Sequence, residues 1–563
     1  MPIGRRRAEG LSEELTEPVR ADTRRSMRPL ALAIALSLIA CKSRDASDPK
    51  TWIARLDDSD PKVRVQAVQQ LRKLKAKQAA PQIALLLKDP LLKEDAALAL
   101  EDLGGPEQVD ALLAAVDTTV GAGSDTAARA ANRTNFRIAE ALGNIGDPRA
   151  GPALLRLARS SDDNVRVAAV EALGNVKAKD AVPELSHIVD DPTAPPLLIK
   201  RAVVALGEIG DPSAIPALAH GLVIERQGVS FLPESSFALF LLGEAAVEPL
   251  MKIAQDQDPA YLAWAKENNR APAGTYAKTA LVLGDLEDPR AVPVLSAKLK
   301  YVDPDPVPGT SRLLSNLVRM FAANALGRMR ATQAAPAVQA LVSTTNAQDE
   351  DVTTFAAEAL VWIGDRAQAR ELMKKAQTGL LKLRLTVAQS AALFGEPVLG
   401  KDVLTLAMRE SKGSHQACVR QLSDLTMPVG DPRQACDLLA TQFGELSKPL
   451  EAARVCASDA PCWLPKLQDP DPVVRARAAY ELGRAGAADA ISALVKAAGE
   501  EQLLVRTAAT RALDWLASVP AARPALKGVA PQLASQLAQE QGKGQYLKAN
   551  EDLRRLQVKL SRL

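Results

Sequence analysis

The sequence predicts an all-α protein, a solenoid of antiparallel helix pairs stacked into a right-handed superhelix. A unit of about 30 to 35 residues recurs from Trp52 nearly to residue 540, and such a period is typical of repeat arrays. Apolar residues make up 47% of the chain but aromatic residues only 3%, so alanine, leucine and valine must form most of the core. Small side chains at this density favour helices that pack closely.

Each unit contains the signals of two helices. In residues 162–191, apolar side chains at helical spacing predict the first helix. A glycine follows them, and we expect it to end the helix with a positive φ. A second helix follows, commonly with proline in its first turn, where no backbone hydrogen bond is lost. The recurring glycines are Gly143, Gly174, Gly207, Gly284, Gly327, Gly364 and Gly483, and the prolines are Pro152, Pro183, Pro216, Pro293 and Pro336.

These units resemble HEAT repeats, in the short bacterial form also found in phycobilin lyases. The resemblance covers about 500 residues, 52–540, and about 13 or 14 units. It implies a structural ladder of hydrogen bonds between aspartate and arginine along the array. The matching pairs are Asp60 with Arg64, Asp162 with Arg166 and Asp471 with Arg475.

Residues 541–563 read as an amphipathic helix that caps the array, although a helix on a membrane surface has the same pattern. One unit cannot bury its apolar face alone, so stability must come from stacking. With helices about 8 to 10 Å apart, 14 units imply an arc on the order of 120 to 140 Å.

Residues 27–41 predict export to the cell envelope. Basic residues precede eleven residues, 30–40, that are apolar except for Ser37, a pattern typical of a secretory signal. The final four, Leu38 to Cys41, resemble the lipobox of bacterial lipoproteins, which implies lipidation of Cys41. Residues 1–40 would then be an extension and signal peptide, with Met1 or Met27 as the start, and 41–51 a linker. Lys42 favours the periplasmic side of the outer membrane; a generic signal peptide or a buried helix is the alternative.

The four other cysteines predict disulfides. All lie within residues 418–462, and an exported protein meets an oxidising compartment. Cys418 and Cys436 flank one predicted turn and Cys456 and Cys462 another, so we expect those two pairs. A Cys436–Cys456 pair and four free thiols remain alternatives. The cysteines show no C-x₂-C spacing, so a zinc site is not indicated.

No pattern in the chain indicates catalysis. Its three histidines lie in different repeats and none is followed by glutamate, so paired His-Glu metal sites are missing. The segment 395–402 resembles a phosphate-binding loop, but Asp402 stands where serine or threonine would hold magnesium. With a net charge of +3 and both signs interspersed, no nucleic-acid footprint is visible. We therefore expect no enzyme activity, no cofactor and no metal.

Aromatic residues suggest where a partner could bind. Seven of the 18 lie between residues 231 and 301, among two irregular insertions, and insertions in repeat arrays often form a binding face. The hypothesis is that Tyr261, Trp264 and Tyr276 contact a partner. The alternative is that these rings fill a poorly matched junction between repeats.

Together these observations favour a non-catalytic, lipid-anchored scaffold that offers a concave surface to a protein or peptide. A lyase-like or accessory enzyme subunit that holds a small ligand, and a self-associating structural protein of the envelope, are the alternatives. Fold alone does not decide among them.

Overall fold

The computed structural model describes residues 47–117, 126–344, 349–364, 431–500, 502–542 and 548–562, together with 372, 388–390 and 392–393. Over these ranges the chain is almost entirely helical. The only strand pairing there is a hairpin of Glu225–Arg226 with Val229–Ser230. The prediction of an all-α solenoid is confirmed.

Two layers of helices run along the array, and helices of the first layer pack on one another from repeat to repeat. These first helices are Pro61–Lys73, Lys93–Leu103, Thr126–Ile145, Asp163–Asn175, Pro196–Ile209, Leu232–Leu242, Pro272–Leu286, Pro308–Arg328, Glu350–Ile363, Pro472–Arg484, Leu503–Ala517 and Lys548–Arg562. The second helices are Ala80–Leu85, Val109–Ala115, Gly151–Leu157, Val182–Asp190, Ile215–Val223, Val247–Ala254, Val292–Lys298, Ala335–Thr344, Ile491–Ala497 and Arg523–Gly542. Pro49–Ile53, Pro259–Glu267, Pro432–Glu445, Ser447–Cys456 and Ala460–Trp463 complete the described helices.

The predicted prolines occupy the first turn of their second helices, as expected. Pro152, Pro183, Pro216 and Pro293 each stand at the first or second position of a helix. Proline there has a preset φ and gives up only an amide that has no partner within the helix.

The predicted glycines are required for close packing rather than for a positive φ. Gly284 and Gly327 lie inside their first helices, and a Cβ on either would stand 2.7 Å from the Cα of an alanine in the next first helix. Positive φ appears three residues after the glycine instead, as at Glu287 and Arg330. Of the seven predicted positions, only Gly364 has a positive φ. The expectation that glycine ends the first helix is therefore wrong for the other six.

The three aspartates of the predicted ladder are helix caps. A carboxylate oxygen of Asp60 accepts the amide hydrogen of Lys62 at 2.9 Å, and Asp162 and Asp471 cap their own helices in the same way. Such a cap satisfies one of the unpaired amides of the first turn and stabilises a helix by about 1 kcal/mol.

The arginines of the predicted pairs bind other carboxylates. Arg64 contacts Asp89 at 2.8 Å and Arg475 contacts Glu500 at 3.0 Å, in both cases a carboxylate 25 residues further along. Arg166 lies 3.5 Å from Asp163. The pairings Asp60–Arg64, Asp162–Arg166 and Asp471–Arg475 are thus wrong, because each aspartate caps its own helix while its arginine reaches a different acceptor.

The array also contacts itself over long distances in sequence. We call Lys548–Arg562 the closing helix, because it packs on Leu503–Ala517 and also touches the first helices between residues 232 and 328. Nearby, the indole nitrogen of Trp362 donates to the hydroxyl of Tyr480 at 3.3 Å. First helices of the middle repeats therefore contact the closing helix and first helices of the later repeats.

The lipidation site Cys41 and the predicted signal peptide lie outside the described residues. In the part of the chain that is described, no helix is both long and apolar enough to cross a bilayer.

Candidate functional site

Three successive connections between repeats carry extra residues, and we call them the insertion edge. They are the hairpin at 225–230, the helix Pro259–Glu267 with its flanking turns, and the loop 299–307. Each follows a second helix and precedes the next first helix, so all three lie along one side of the array. Insertions placed in this way often form the binding face of a repeat protein.

The inserted helix Pro259–Glu267 is held by its aromatic residues. Asp258 caps it by accepting the amide hydrogen of Tyr261 at 2.9 Å. Tyr261 is buried and its hydroxyl lies 3.1 Å from that of Thr275. The ring of Trp264 stacks on His220, with centroids 3.7 Å apart and planes 7° from parallel, and Asp190 holds His220 at 2.8 Å.

The loop 299–307 is fixed by two further tyrosines. The hydroxyl of Tyr276 donates to Asp256 at 2.6 Å, and its ring meets Tyr301 edge-on at 5.3 Å. The ammonium of Lys298 lies 3.2 Å from the centre of the Tyr276 ring, a cation–π contact. Burial and the neighbouring Asp256 carboxylate raise the pKa of Tyr276, and burial lowers the pKa of Lys298. These groups bind each other and leave little for a ligand.

The rings proposed as a partner surface therefore divide into two kinds. Tyr261 and Tyr276 are 5% and 6% exposed, so both rings are buried between repeats, as the alternative interpretation expected. A partner cannot reach them. Trp264 is half-buried and packs on His220, so only part of its ring is available. A role for Trp264 in binding stays a prediction.

Exposed aliphatic side chains are the feature of the insertion edge that the sequence analysis missed. Val302 and Val307 are 69% and 57% exposed, and Leu262 on the inserted helix is 41% exposed. Leu313, in the helix that follows the loop 299–307, is 66% exposed. A search limited to aromatic residues passes over them. Apolar residues within the polar, proline-rich segment 301–311 were the signal that could have revealed Val302 and Val307.

Buried ion pairs hold the closing helix on the middle repeats. Arg328 lies 2.6 Å from Asp285 and 2.9 Å from Asp552 of the closing helix. Arg555 of the closing helix contacts Asp285 at 2.8 Å in return. Because the side chains of Asp285 and Arg328 are 0% and 4% exposed, water screens these pairs poorly.

A second set of ion pairs lies beside the first. Lys559 of the closing helix reaches both Glu287 and Asp514 at 2.8 Å, and Arg511 lies 3.8 Å from Glu287. Burial, followed by the nearby Asp514 carboxylate, raises the pKa of Glu287 to about 7. Burial alone would raise the pKa of Asp514 as well, but Lys559 and Arg511 outweigh it and lower that pKa.

This ionic cluster is an internal contact and not a ligand pocket. Its side chains leave about 10 Å³ between them, no more than about one water needs. Cations and carboxylates alternate, so each charge is balanced by a side chain from the same chain. The cluster joins the closing helix to Pro272–Leu286, Pro308–Arg328 and Leu503–Ala517.

Cys456 and Cys462 flank a turn between two helices, as predicted. Cys456 and Cys462 form a disulfide with their Cα atoms 5.3 Å apart, across the break between Ser447–Cys456 and Ala460–Trp463. This excludes the alternative Cys436–Cys456 pair. Cys436 is buried and is also part of a disulfide, while its predicted partner Cys418 lies outside the described residues.

Among known families, the model for HEAT repeats matches residues 49–133, 127–198, 156–229 and 460–538, and the model for the PBS lyase HEAT-like repeat matches 318–344. No curated protein sequence matches the chain significantly.

Several solved structures resemble the fold. Importin beta, crystallised in polyethylene glycol, is 12% identical, with 94% of this chain and 77% of importin beta covered and a TM-score of 0.45. Kap95p, in its complex with RanGDP, is 13% identical over 90% of this chain and 70% of its own, with a TM-score of 0.43. The complex of CpcE and CpcF of phycocyanin lyase from Nostoc sp. PCC7120 is 20% identical over 50% of this chain and 94% of its own, with a TM-score of 0.24. These identities are too low to carry a function across. The matches to the two HEAT family models are what show that the chain is a HEAT-repeat protein.

Proposed function

We propose that this protein is a non-catalytic scaffold that binds a protein or peptide partner, and that a lipid on Cys41 holds it at the bacterial cell envelope. The insertion edge is the observation that supports partner binding most. It adds to the repeats a surface that stacking does not require.

The chemistry of the insertion edge suits a protein partner. Leu262, Val302 and Val307 leave between 41% and 69% of their surface in water. Burying apolar surface contributes about 25 cal/mol per Å², so a partner that covers these side chains gains free energy without disturbing the repeats. Beneath them, the Tyr276–Asp256 and Trp264–His220 contacts hold the edge in one conformation, which reduces the entropy lost on binding.

The disulfides and the lipobox-like segment support the envelope. Disulfides persist in oxidising compartments and are rare in the cytosol, and Cys456, Cys462 and Cys436 are all oxidised. With Leu38 to Cys41, they favour export followed by lipidation. Labelling cells with a radioactive fatty acid should mark the wild-type protein and leave Cys41→Ser unmarked; equal labelling of both would refute the anchor.

Site-specific crosslinking in intact cells tests partner binding. A photoreactive amino acid placed at Leu262 or Val302 should yield a discrete adduct with another protein. Leu85 is the matched control, because it is a leucine 64% exposed on a second helix away from the insertion edge. The variant Leu262→Asp/Val302→Asp should lose the partner with an unchanged melting temperature.

The crosslinking result also separates the alternatives. An adduct of the chain with itself would support the self-associating structural protein instead. Adducts that are equally abundant from Leu85, or missing at every position, would refute a partner surface at the insertion edge.

A further inference from the structure

Two arginines of the insertion edge carry their charge without an acidic partner. Arg226 lies in the hairpin and Arg270 in the turn that follows the inserted helix. Both side chains are half-buried, and the Nε of each is enclosed without a hydrogen-bond acceptor among the described residues. Every other described arginine with such an Nε forms an ion pair with a carboxylate, as Arg64 does with Asp89 at 2.8 Å. Arg226 and Arg270 therefore differ from the arginines that hold the repeats together.

Backbone carbonyls hold both guanidinium groups in place. A terminal nitrogen of Arg226 donates to the carbonyl of Glu225 at 3.2 Å, and one of Arg270 donates to the carbonyl of Val223 at 3.4 Å. The backbone of Arg270 is fixed as well, because its amide donates to the carbonyl of Ala265 at 2.8 Å. The start of the hairpin and the end of the inserted helix thus meet at these two arginines. Neutral carbonyls position the guanidinium groups but leave both positive charges unbalanced.

A lysine of the adjacent first helix adds a third cation. Lys278 of Pro272–Leu286 is half-buried and forms no ion pair within the described ranges. Burial lowers the pKa of its ammonium; the Glu225 carboxylate raises that pKa and the Arg270 guanidinium lowers it further, so both groups lie near enough to act on it. Glu225 itself is exposed. One carboxylate in water therefore stands against three partly buried cations.

These three cations are suited to an anion that enters from outside. Partial burial of a charge costs free energy when no opposite charge replaces the lost water. A carboxylate placed between the hairpin and the inserted helix would offset that cost. The guanidinium is planar and always charged, and it donates two parallel hydrogen bonds to a carboxylate. Because the carbonyl contacts already position both arginines, little side-chain entropy would be lost on binding.

We propose that Arg226, Arg270 and Lys278, which we call the cationic cluster, bind an acidic side chain of the partner protein. The proposal rests on the scaffold function proposed above and names the chemistry that the partner brings to the insertion edge. Leu262 is exposed on the same inserted helix that leads to Arg270. The partner segment therefore combines aspartate or glutamate with aliphatic residues.

The surroundings of the cationic cluster favour a single carboxylate over an extended anionic surface. Glu225 on the hairpin and Glu267 at the end of the inserted helix are both exposed. Their charges repel the dense negative charge of an anionic membrane or a nucleic acid. One acidic side chain can contact the half-buried cations without bringing further negative charge against these two glutamates.

Binding of a defined peptide to the full chain tests the charge requirement. The probe is a synthetic peptide of about 12 residues in which leucine and glutamate alternate, and its control has glutamine in place of glutamate. Fluorescence anisotropy should show that the glutamate peptide binds about tenfold more tightly, with an affinity that falls as salt rises. Arg226→Gln/Arg270→Gln should weaken its binding about tenfold, as expected for two half-buried charge pairs.

Two further variants separate the loss of charge from a loss of structure. Lys278→Gln leaves both carbonyl contacts intact and should weaken binding about threefold with an unchanged melting temperature. Arg129→Gln/Arg156→Gln removes two charges from exposed arginines outside the insertion edge and should bind like the wild type. Equal affinity of the wild type for both peptides, or wild-type affinity in both Arg226→Gln/Arg270→Gln and Lys278→Gln, would overturn the proposal. Binding to phosphatidylglycerol vesicles in place of the peptide, lost in Arg226→Gln/Arg270→Gln, would overturn it in favour of a lipid surface.

Crosslinking in cells separates this proposal from the scaffold function itself. A photoreactive residue at Gln227, which is exposed at the tip of the hairpin, should capture a partner segment that contains aspartate or glutamate. Arg226→Gln/Arg270→Gln should abolish that adduct. An adduct at Val302 with none at Gln227, or a captured segment without acidic residues at Gln227, overturns the cationic cluster and leaves the scaffold standing. Missing adducts at both positions overturn both proposals.

Discussion

Replacing Arg328 with methionine should detach the closing helix. The guanidinium of Arg328 stands between Asp285 and Asp552, at 2.6 and 2.9 Å, and is 4% exposed. Burial alone would lower its pKa, but Asp285 and Asp552 outweigh that effect and raise it. These carboxylates therefore depend on the arginine charge.

The expected magnitude follows from what the substitution leaves behind. Methionine fills most of the volume but strands two carboxylates with side chains 0% and 10% exposed. Breaking a buried ion pair typically destabilises by about 3 to 5 kcal/mol. Arg555 still contacts Asp285 at 2.8 Å, so we expect about 3 kcal/mol. The double variant Asp285→Asn/Arg328→Met should be less destabilised than the sum of its parts, because it removes both charges.

Hydrogen exchange is the appropriate assay, because a repeat array need not unfold in one step. Amides of the closing helix should exchange about a hundredfold faster in Arg328→Met, the equivalent of about 3 kcal/mol. Arg290→Met is the control, since Arg290 also meets two carboxylates, Asp288 and Glu244, but is 48% exposed. Its exchange should match the wild type. If Arg328→Met also exchanges like the wild type, the closing helix is not held by this cluster.

Three further predictions concern the repeats. Since the pKa of Glu287 is about 7 in the fold against an ordinary 4.5, the folded chain binds this proton more tightly. The stabilisation of the fold by this bound proton is complete below pH 4.5 and is lost as the pH rises past 7. Between pH 5 and 8, the melting temperature of Glu287→Gln should therefore decline less than that of the wild type. In urea titrations, Gly284→Ala should destabilise by about 1 to 3 kcal/mol through its clash with the next helix. Gly274→Ala, in the same helix with open space around it, should be neutral or slightly stabilising. Trp264→Ala should cost about 2 kcal/mol by removing its stack on His220; unchanged stability with lost partner binding would instead make Trp264 an interface residue.

Features that depend on neighbouring residues were predictable. Helical spacing, the proline at the start of several second helices and the Cys456–Cys462 disulfide all involve residues a few positions apart. Backbone geometry and loop length restrict such features within one or two turns. The sequence could therefore predict the helix pairs and this cross-link.

Features that depend on the neighbouring repeat were predicted only in part. Glycine was identified at the correct position, but its purpose is the 2.7 Å approach of the next helix rather than a positive φ. Asp60 and Arg64 were identified as structural, but Arg64 binds Asp89. In both cases the residue type shows that a constraint exists, while packing between helices decides what satisfies it.

The sequence by itself determined a stack of helix pairs, because a repeating apolar pattern forces each unit to bury its face against the next. Only the tertiary structure decided which distant repeats meet. Arg328 and Asp552 lie 224 residues apart, and Asp285 looks in sequence like any polar residue near the end of a helix. Their contact depends on small rotations added over many repeats, and no single repeat encodes that sum.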